Sequence, residues 1–223
     1  MNVSDAVAQR ASIRAFLDRP VNLKVLLSVI QQAARAPSSG NLQPWRLYVL
    51  HGRALDDFRA AINDKLASGA QEEPRAYQVY PQPLGEPYRG YRYRVGEAMY
   101  GLLGIGRDEK ERRLAWFANN FRFFDAPCAV FFFVETGMGP GQWADLGMYQ
   151  QSMMLLLKEQ GLDTCMQACW TRYHQTVKAL LGVPDGLVLH AGMAIGYADP
   201  EAAVNRLKSE RMPLDTFCTV VRP

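Results

Sequence analysis

The stretch Ala36-Pro37-Ser38-Ser39-Gly40-Asn41-Leu42-Gln43-Pro44-Trp45 marks the change from a helix to a strand. Upstream, apolar residues recur at helical spacing behind Asn22, which is a good N-cap, and Pro37 ends the pattern. Downstream, residues 45–50 contain the β-favouring types Trp, Tyr and Val. The Ser-Ser-Gly-Asn segment between them consists of turn formers. We therefore predict a helix, a turn and a strand over residues 23–50.

The rest of the chain alternates helical with extended patterns. Residues 129–134 form a continuous apolar run, which is typical of a strand covered on both faces. Further helices are predicted over residues 55–66, 107–117, 145–159 and 175–181, and further extended segments over residues 187–197 and 217–221. This alternation predicts an α+β fold, in which helices surround a small mixed or antiparallel sheet.

Residues from about 71 to 96 follow neither period. Prolines alternate there with tyrosines and arginines, namely Pro74, Pro81, Pro83, Pro87, Tyr77, Tyr80, Tyr88, Tyr91, Tyr93, Arg75, Arg89, Arg92 and Arg94. We interpret this segment as a long irregular excursion. Such loops often serve as lids or binding loops, and a solvated loop or one that wraps around a second subunit is the alternative.

Composition restricts the class of protein. The 223 residues are 48% hydrophobic and 21% charged, which is typical of a globular protein. A net charge of +3 is too small to indicate a nucleic-acid or membrane partner through bulk electrostatics. No apolar run approaches the length of a membrane helix, and residues 1–5 lack the features of a secretory signal. Four scattered cysteines do not indicate a disulfide framework, so we expect a cytoplasmic protein.

Residues 10–14 read Arg-Ala-Ser-Ile-Arg and place two guanidinium groups and a hydroxyl within five residues. In an extended segment, the side chains of Arg10, Ser12 and Arg14 point the same way. The planar fork of arginine suits phosphate oxygens. A second group of basic residues near the C terminus consists of Arg206, Lys208 and Arg211. Each cluster alone can equally be solvated surface, but together they are consistent with a polyanionic ligand.

The turn formed by residues 38–43 adds a second feature. It can be an ordinary connection, yet many of its side chains both donate and accept hydrogen bonds, which matches the edge of a uracil-like ring. Flavin mononucleotide (FMN) requires an anchor for its phosphate and a polar rim for its isoalloxazine. The arginine segment and this turn are therefore candidates for those two roles.

Four short motifs follow one another along the chain. They are Arg-x-Ser-x-Arg at 10–14, Pro-Ser-Ser-x-Asn-x-Gln-Pro-Trp at 37–45, Gly-Leu-Asp-Thr at 161–164 and Arg-x-Pro-Leu at 211–214. In this order they resemble the nitroreductase family of FMN-dependent enzymes over nearly the whole chain, most of all the bacterial subgroup that acts on nitrobenzoate and similar compounds. The resemblance implies a single domain over residues 1–223. It also implies a central, mostly antiparallel sheet surrounded by helices, in an intertwined homodimer.

The resemblance further implies which residues contact the flavin. The phosphate, ribityl and pyrimidine end are held by Arg10, Ser12, Arg14 and Arg211, with Lys208 as a weaker candidate. The residues that reach the same flavin from the other subunit are Pro37, Ser38, Ser39 and Asn41. The backbone N–H near the flavin N5 belongs to Met166, Gln167 or Ala168, and either Asn119 or Asn120 touches the flavin. No side chain is implied as a catalytic group, because the flavin carries the chemistry.

The activity implied is ping-pong hydride transfer from NADH or NADPH to a small nitroaromatic acceptor. Alternatives on the same scaffold are reduction of quinones or enones, reductive dehalogenation, and flavin binding without turnover. A nucleic-acid-binding protein would suit the interleaved tyrosines and arginines, but the small net charge argues against it. The isolated histidines and the pair Cys165 and Cys169 do not predict a metal site. We expect His190, within a predicted strand, to be a core histidine with its hydrogen bonds satisfied.

Overall fold

The computed structural model describes residues 1–69 and 71–222. Its helices are α1 Val3–Gln9, α2 Leu23–Ala33, α3 Arg53–Ala67, α4 Tyr88–Leu102, α5 Lys110–Ala118, α6 Pro140–Glu159, α7 His174–Leu181 and α8 Leu214–Phe217. Its strands are β1 Arg46–His51, β2 Cys128–Glu135, β3 Asp163–Gln167 and β4 Leu187–Gly196. Among the described residues, no helix has both the length and the apolar character that crossing a bilayer requires.

The four strands form one sheet in the order β1-β2-β4-β3, and every neighbouring pair is antiparallel. The prediction of a small sheet surrounded by helices is therefore confirmed, with the antiparallel alternative correct. β2 lies inside the sheet, and the side chains of residues 128–134 are completely buried. Its apolar sequence is uninterrupted because both faces of the sheet are covered at this strand.

Two hydrophobic layers sandwich the sheet, and alternate residues of β2 face opposite layers. Phe131 and Phe133 pack with Trp170 and with the apolar side of α3. Val130 and Phe132 face the opposite layer, which is built from α2 and α6. Gly192 of β4 lies so close to Trp170 that an added Cβ would be 2.6 Å from the indole Cδ1. Only glycine fits there, because the indole occupies the space of a side chain.

The N-terminal segment extends the sheet beyond its β3 edge. Ser12 forms a parallel bridge with Thr164 of β3, and the Ile13 N–H donates to the Thr164 carbonyl over 2.9 Å. Phe16 forms an antiparallel bridge with Ala198, just beyond β4. The chain over residues 10–16 is thereby held against the sheet, which places both arginines of the first motif at this edge.

The prediction of an irregular excursion at about 71–96 is only partly correct. Residues 71–87 are irregular where described, but α4 begins at Tyr88 and continues to Leu102. Glu86 supports its first turn by accepting from the Gly90 N–H over 3.0 Å and from Arg89 over 2.8 Å. No α4 residue is fully buried, so the helix lacks the apolar stripe that identifies helices in a sequence.

Two further elements differ from the prediction near the ends of the chain. The helix α1, whose N-cap is Asn2, was not predicted, although the Asn2 side chain accepts from the Asp5 N–H over 2.8 Å. The predicted extended segment 217–221 is wrong at its first residue, because Phe217 ends the short helix α8. Residues 218–222 form no strand with any described part of the chain. A strand requires a neighbouring backbone, and a single protomer does not provide one there.

Candidate functional site

The arginines of the first motif lie beside β3. Burial raises the pKa of the Cys165 thiol in this strand, and the positive charges of Arg14 and Arg10 oppose that rise. Both guanidinium groups therefore act on the same buried side chain. Ser12, between them, is bridged to Thr164 and half-buried.

Asn205 connects this segment to the C-terminal part of the chain. Its side-chain oxygen accepts from the Arg14 N–H over 2.8 Å, and its amide nitrogen donates to the carbonyls of Ala15 and Asp199 over 2.8 and 2.9 Å. Sequence reasoning missed Asn205, since nothing in its surroundings marks an asparagine with partners 190 residues away. It fixes the backbone at Arg14 and so acts as a positioning residue.

The charges at this edge are not neutralised within the chain. In residues 1–69 and 71–222, Arg10 and Arg14 form no ion pair, and the Arg14 guanidinium donates only to the Ser12 carbonyl, over 3.1 Å. Arginines elsewhere in the chain do find carboxylate partners; Arg113 of α5, for example, pairs with Glu97 at 2.6 Å. Two adjacent cations without a carboxylate partner form a site suited to an external anion.

Lys208 and Arg211 lie on a neighbouring surface. Together with residues 91–98 of α4 they line a cavity of about 540 Å³. Arg211 donates to the Ser209 hydroxyl over 2.7 Å, and neither cation has a carboxylate partner among the described residues. Their segment is tethered to α4 by the ion pair of Arg94 with Glu210 at 3.0 Å. No described contact joins them directly to the first-motif arginines.

Asp145 fixes the turn of residues 38–43 through a hydrogen bond to its backbone. This buried carboxylate on α6 accepts from the Ser39 N–H, with both oxygens at 3.2 Å, and the Ser38 hydroxyl accepts from the Gln43 N–H at 3.0 Å. Pro37, Ser39 and Asn41 are exposed. No described contact joins the turn to the arginine segment, so in one protomer they are separate surfaces. Sequence reasoning gave Asp145 no role. The feature that could have indicated one is that Asp145 is an acidic residue on the apolar side of a predicted helix.

The segment formed by Met166, Gln167 and Ala168 is the floor of a cleft of about 440 Å³. Its walls come from residues 78–82 and Leu84 of the excursion and from Arg75, Arg92, Phe117, Asn120, Cys169 and Arg172. The Gln167 amide donates to the Asn120 carbonyl over 2.7 Å, and its oxygen accepts from the Trp170 indole over 3.4 Å. The Gln167 side chain is thus satisfied internally. Of the two candidate asparagines, the structure places Asn120 at the cleft.

The excursion is fixed to the core at its start. Glu73 accepts from the N–H groups of Gln175 and Thr176, at 2.7 and 3.1 Å, where α7 begins. The Tyr77 hydroxyl donates to the His190 carbonyl over 2.6 Å. These contacts hold the residues that precede the cleft wall, and residues 78–84 then pass over the 166–168 segment.

Comparison with known proteins identifies the fold. The family model described as Nitroreductase family matches residues 7–197. This chain belongs to the nitroreductase family. The matched region includes the first-motif arginines, the turn of residues 38–43, the 166–168 segment and the whole sheet.

Several nitroreductases are similar to the chain over almost their whole length. A nitrobenzene nitroreductase from Ectopseudomonas oleovorans is 34% identical, with 98% of this chain and 96% of that protein covered. A 4-nitrobenzoate reductase from Pseudomonas putida is also 34% identical, with coverage of 92% and 89%. The crystal structure of the FMN and NADPH-dependent nitroreductase NfnB from Sphigopyxis sp. strain HMH superposes with a TM-score of 0.96, at 44% identity and complete coverage of both chains.

Proposed function

We propose that the chain is an FMN-dependent oxidoreductase that uses NADH or NADPH to reduce nitroaromatic compounds. Its family membership and its similarity to nitroreductases and to the FMN and NADPH-dependent NfnB support this activity. The structural observation that carries the proposal is the pair of unpaired guanidinium groups beside β3, the strand that continues into the floor of the cleft.

The side chains at this edge fit FMN. A phosphate dianion binds arginine through paired, charge-assisted hydrogen bonds, and Arg10 and Arg14 have no competing carboxylate in the described chain. We assign the phosphate, ribityl and pyrimidine end to Arg10, Ser12, Arg14 and Arg211, with Lys208 as a further contact. When bound, FMN supplies the hydride-transfer chemistry that these side chains lack.

The 166–168 segment contributes through its backbone in this proposal. The Gln167 side chain is already bonded to Asn120 and Trp170, so it is not available for a ligand. A contact made by the backbone does not require a particular side chain at that position. We therefore propose that Met166, Gln167 or Ala168 donates a backbone N–H to the flavin, and that the cleft above holds the substrates.

The cleft supports alternate use by two substrates. It borders the 166–168 segment and has about 440 Å³ of space, so we propose that the nicotinamide and the acceptor occupy it in turn, in a ping-pong reaction. No histidine or carboxylate is part of its described lining, and burial raises the pKa of Cys169. The protons required for reduction of the acceptor therefore come from solvent in this proposal.

We also propose that the enzyme is a homodimer. In the C-terminal tail, Leu214, Phe217, Val220 and Val221 are 68%, 64%, 72% and 91% exposed, an apolar surface that a single chain leaves in water. A partner would cover it, and the partner's Pro37, Ser38, Ser39 and Asn41 would then reach the flavin. A cytoplasmic location agrees with the four unpaired cysteines.

The assignment of the phosphate site is tested by R10A and R14A. Loss of one charge-assisted contact should raise the Kd for FMN by about tenfold or more, because such a bond contributes about 1.5–3 kcal/mol. The Kd is measured by quenching of flavin fluorescence on titration into the apoprotein. R53A is the control, since Arg53 is exposed and pairs only with Asp57 on the same helix, at 3.6 Å. A wild-type Kd in both test variants would show that the phosphate binds elsewhere.

The activity is tested by kinetics on the wild-type holoenzyme. We expect parallel lines in double-reciprocal plots of rate against NADPH at several concentrations of a nitroaromatic acceptor, as a ping-pong reaction requires. A panel with a quinone, an enone and a halogenated aromatic ranks the acceptors by kcat/KM. A preferred quinone would replace the nitroaromatic assignment, and no turnover with any acceptor would leave a flavin-binding protein.

A further inference from the structure

We propose that Arg92 binds the carboxylate of the aromatic acceptor, so that the enzyme prefers anionic nitroaromatics to neutral ones. This inference rests on the proposed function and names the substrate of that same cleft. Arg92 lies on the second turn of α4, and its guanidinium carbon is 4.5 Å from the centroid of the Tyr80 ring. Both residues line the cleft above the 166–168 segment.

The cleft is positively charged. Its described lining contains Arg75, Arg92 and Arg172 and no carboxylate. Two of these arginines share Glu72, which lies outside the lining: Arg172 forms an ion pair with it, and Arg75 is 3.9 Å from it. In the described chain, Arg92 has no carboxylate partner. It is therefore the cation of the cleft whose charge is still available to a ligand.

The contact with Tyr80 orients Arg92 and leaves its N–H donors free for hydrogen bonds. A cation over an aromatic face is held through the ring quadrupole, and the N–H groups at the edge of the guanidinium plane stay free. Those N–H groups match the two oxygens of a carboxylate, so that the ion pair can be bidentate. The other polar groups of the floor are already engaged, since Gln167 is bonded to Asn120.

The remaining lining suits one aromatic ring. Val79, Tyr80, Pro81, Phe117 and Met166 contribute apolar and aromatic surface to the same space. A ring with a carboxylate on Arg92 would lie between the excursion and the floor, with its far substituent directed away from α4. Arg92 would thus select charged acceptors and also orient them.

A phosphate of the nicotinamide cofactor shares the same oxyanion chemistry. Arg92 also lines the neighbouring cavity, where Lys208 and Arg211 are located. The carboxylate is favoured because Arg92 stacks on Tyr80, which belongs to the cleft and not to that cavity. The two sources are separated by measuring acceptor and cofactor parameters in the same variants.

The test compares 4-nitrobenzoate with 4-nitrobenzamide, its neutral isostere, in the wild type, R92A, R92K and R89A. We expect the ratio of kcat/KM for the anion to that for the amide to fall about tenfold or more in R92A, mostly through KM, as loss of a charged hydrogen bond requires. R92K should recover part of the ratio. R89A should keep it, because Arg89, three residues earlier, pairs with Glu86 at 2.8 Å and lines neither cavity.

Binding is measured separately from turnover by titrating benzoate and benzamide into the holoenzyme and following tryptophan fluorescence. We expect benzoate to bind more tightly than benzamide in the wild type, and this difference to shrink in R92A. Equal effects on both ligands, an unchanged ratio in R92A, or a change confined to the KM of NADPH would overturn the proposal. If the wild type still reduces 4-nitrobenzamide, the proposed function stands and such a result contradicts only the role of Arg92.

Discussion

His190 shows how one partly buried side chain makes stability depend on pH. Its Nδ1 atom is 3.0 Å from the Gln150 amide nitrogen, which donates to it, and Tyr77 and Trp143 pack against the ring. Burial lowers the pKa of His190 to about 4. The neighbouring Tyr77 is neutral throughout the acid range, and burial raises its pKa further, to about 12. The expectation of a core histidine with its hydrogen bonds satisfied is therefore met only in part, since His190 is partly buried and only its Nδ1 atom has a described partner.

The lowered pKa predicts acid destabilisation. Below the ordinary histidine pKa of about 6.5, His190 binds a proton in the unfolded chain but not in the folded chain. The free energy of unfolding therefore falls as the pH falls towards about 4, by up to about 3 kcal/mol. We expect H190Q, which cannot be charged, to lose less stability than the wild type over this range. Urea unfolding at several pH values measures it. Identical pH dependence in the two proteins would show that His190 is protonated in the folded state.

Glu73 shows how one carboxylate joins two elements. Burial would raise its pKa, but hydrogen bonds from the Thr176 side chain and the Gln175 N–H outweigh burial, and the pKa is lowered. Lys65 of α3 lies 3.2 Å away. Because acids stabilise the free N–H groups at a helix N terminus, Glu73 fixes the excursion to α7.

Removal of this cap should loosen the excursion. We expect E73A to reduce the free energy of unfolding by about 1–2 kcal/mol, the usual cost of losing a helix cap. We also expect faster proteolytic cleavage within residues 78–87. E111A is the matched control, because Glu111 lies in the first turn of α5 and accepts no hydrogen bond from a described residue. Cleavage of E73A at the wild-type rate would mean that Tyr77 alone holds the excursion.

Burial shaped the sequence of several elements that were predicted correctly, although the largely buried strand β3 was not predicted. β2 and the buried side of α2 have apolar patterns that result from packing in the core. α4 was missed because it buries no residue fully and contains tyrosines and glycines with low helix propensity. Its support comes from other segments, such as Arg113 on Glu97 and Glu210 on Arg94.

The proposed dimer depends on the exposed C-terminal tail. If a partner covers Phe217 and Val221, charges there should prevent association, since burying an unpaired carboxylate is costly. We expect the double variant F217E/V221E to elute as a monomer and to retain less FMN than the wild type. L180E is the control, because Leu180 is 44% exposed on α7, outside the tail. Light scattering after size-exclusion chromatography gives the mass, and a monomeric wild type would contradict the proposed dimer.

The sequence by itself determined the α+β class, the strands β1, β2 and β4, and the family, since core packing imposes periodic patterns and the motifs are contiguous. It also identified Arg10 and Arg14 as candidate phosphate ligands. Only the tertiary structure decided that Asn205 fixes the backbone at Arg14, that Asp145 supports Ser39, and that Arg92 stacks on Tyr80. Such contacts join residues far apart in the chain or on different elements. Their geometry arises when the chain folds, and no local pattern of residues records it.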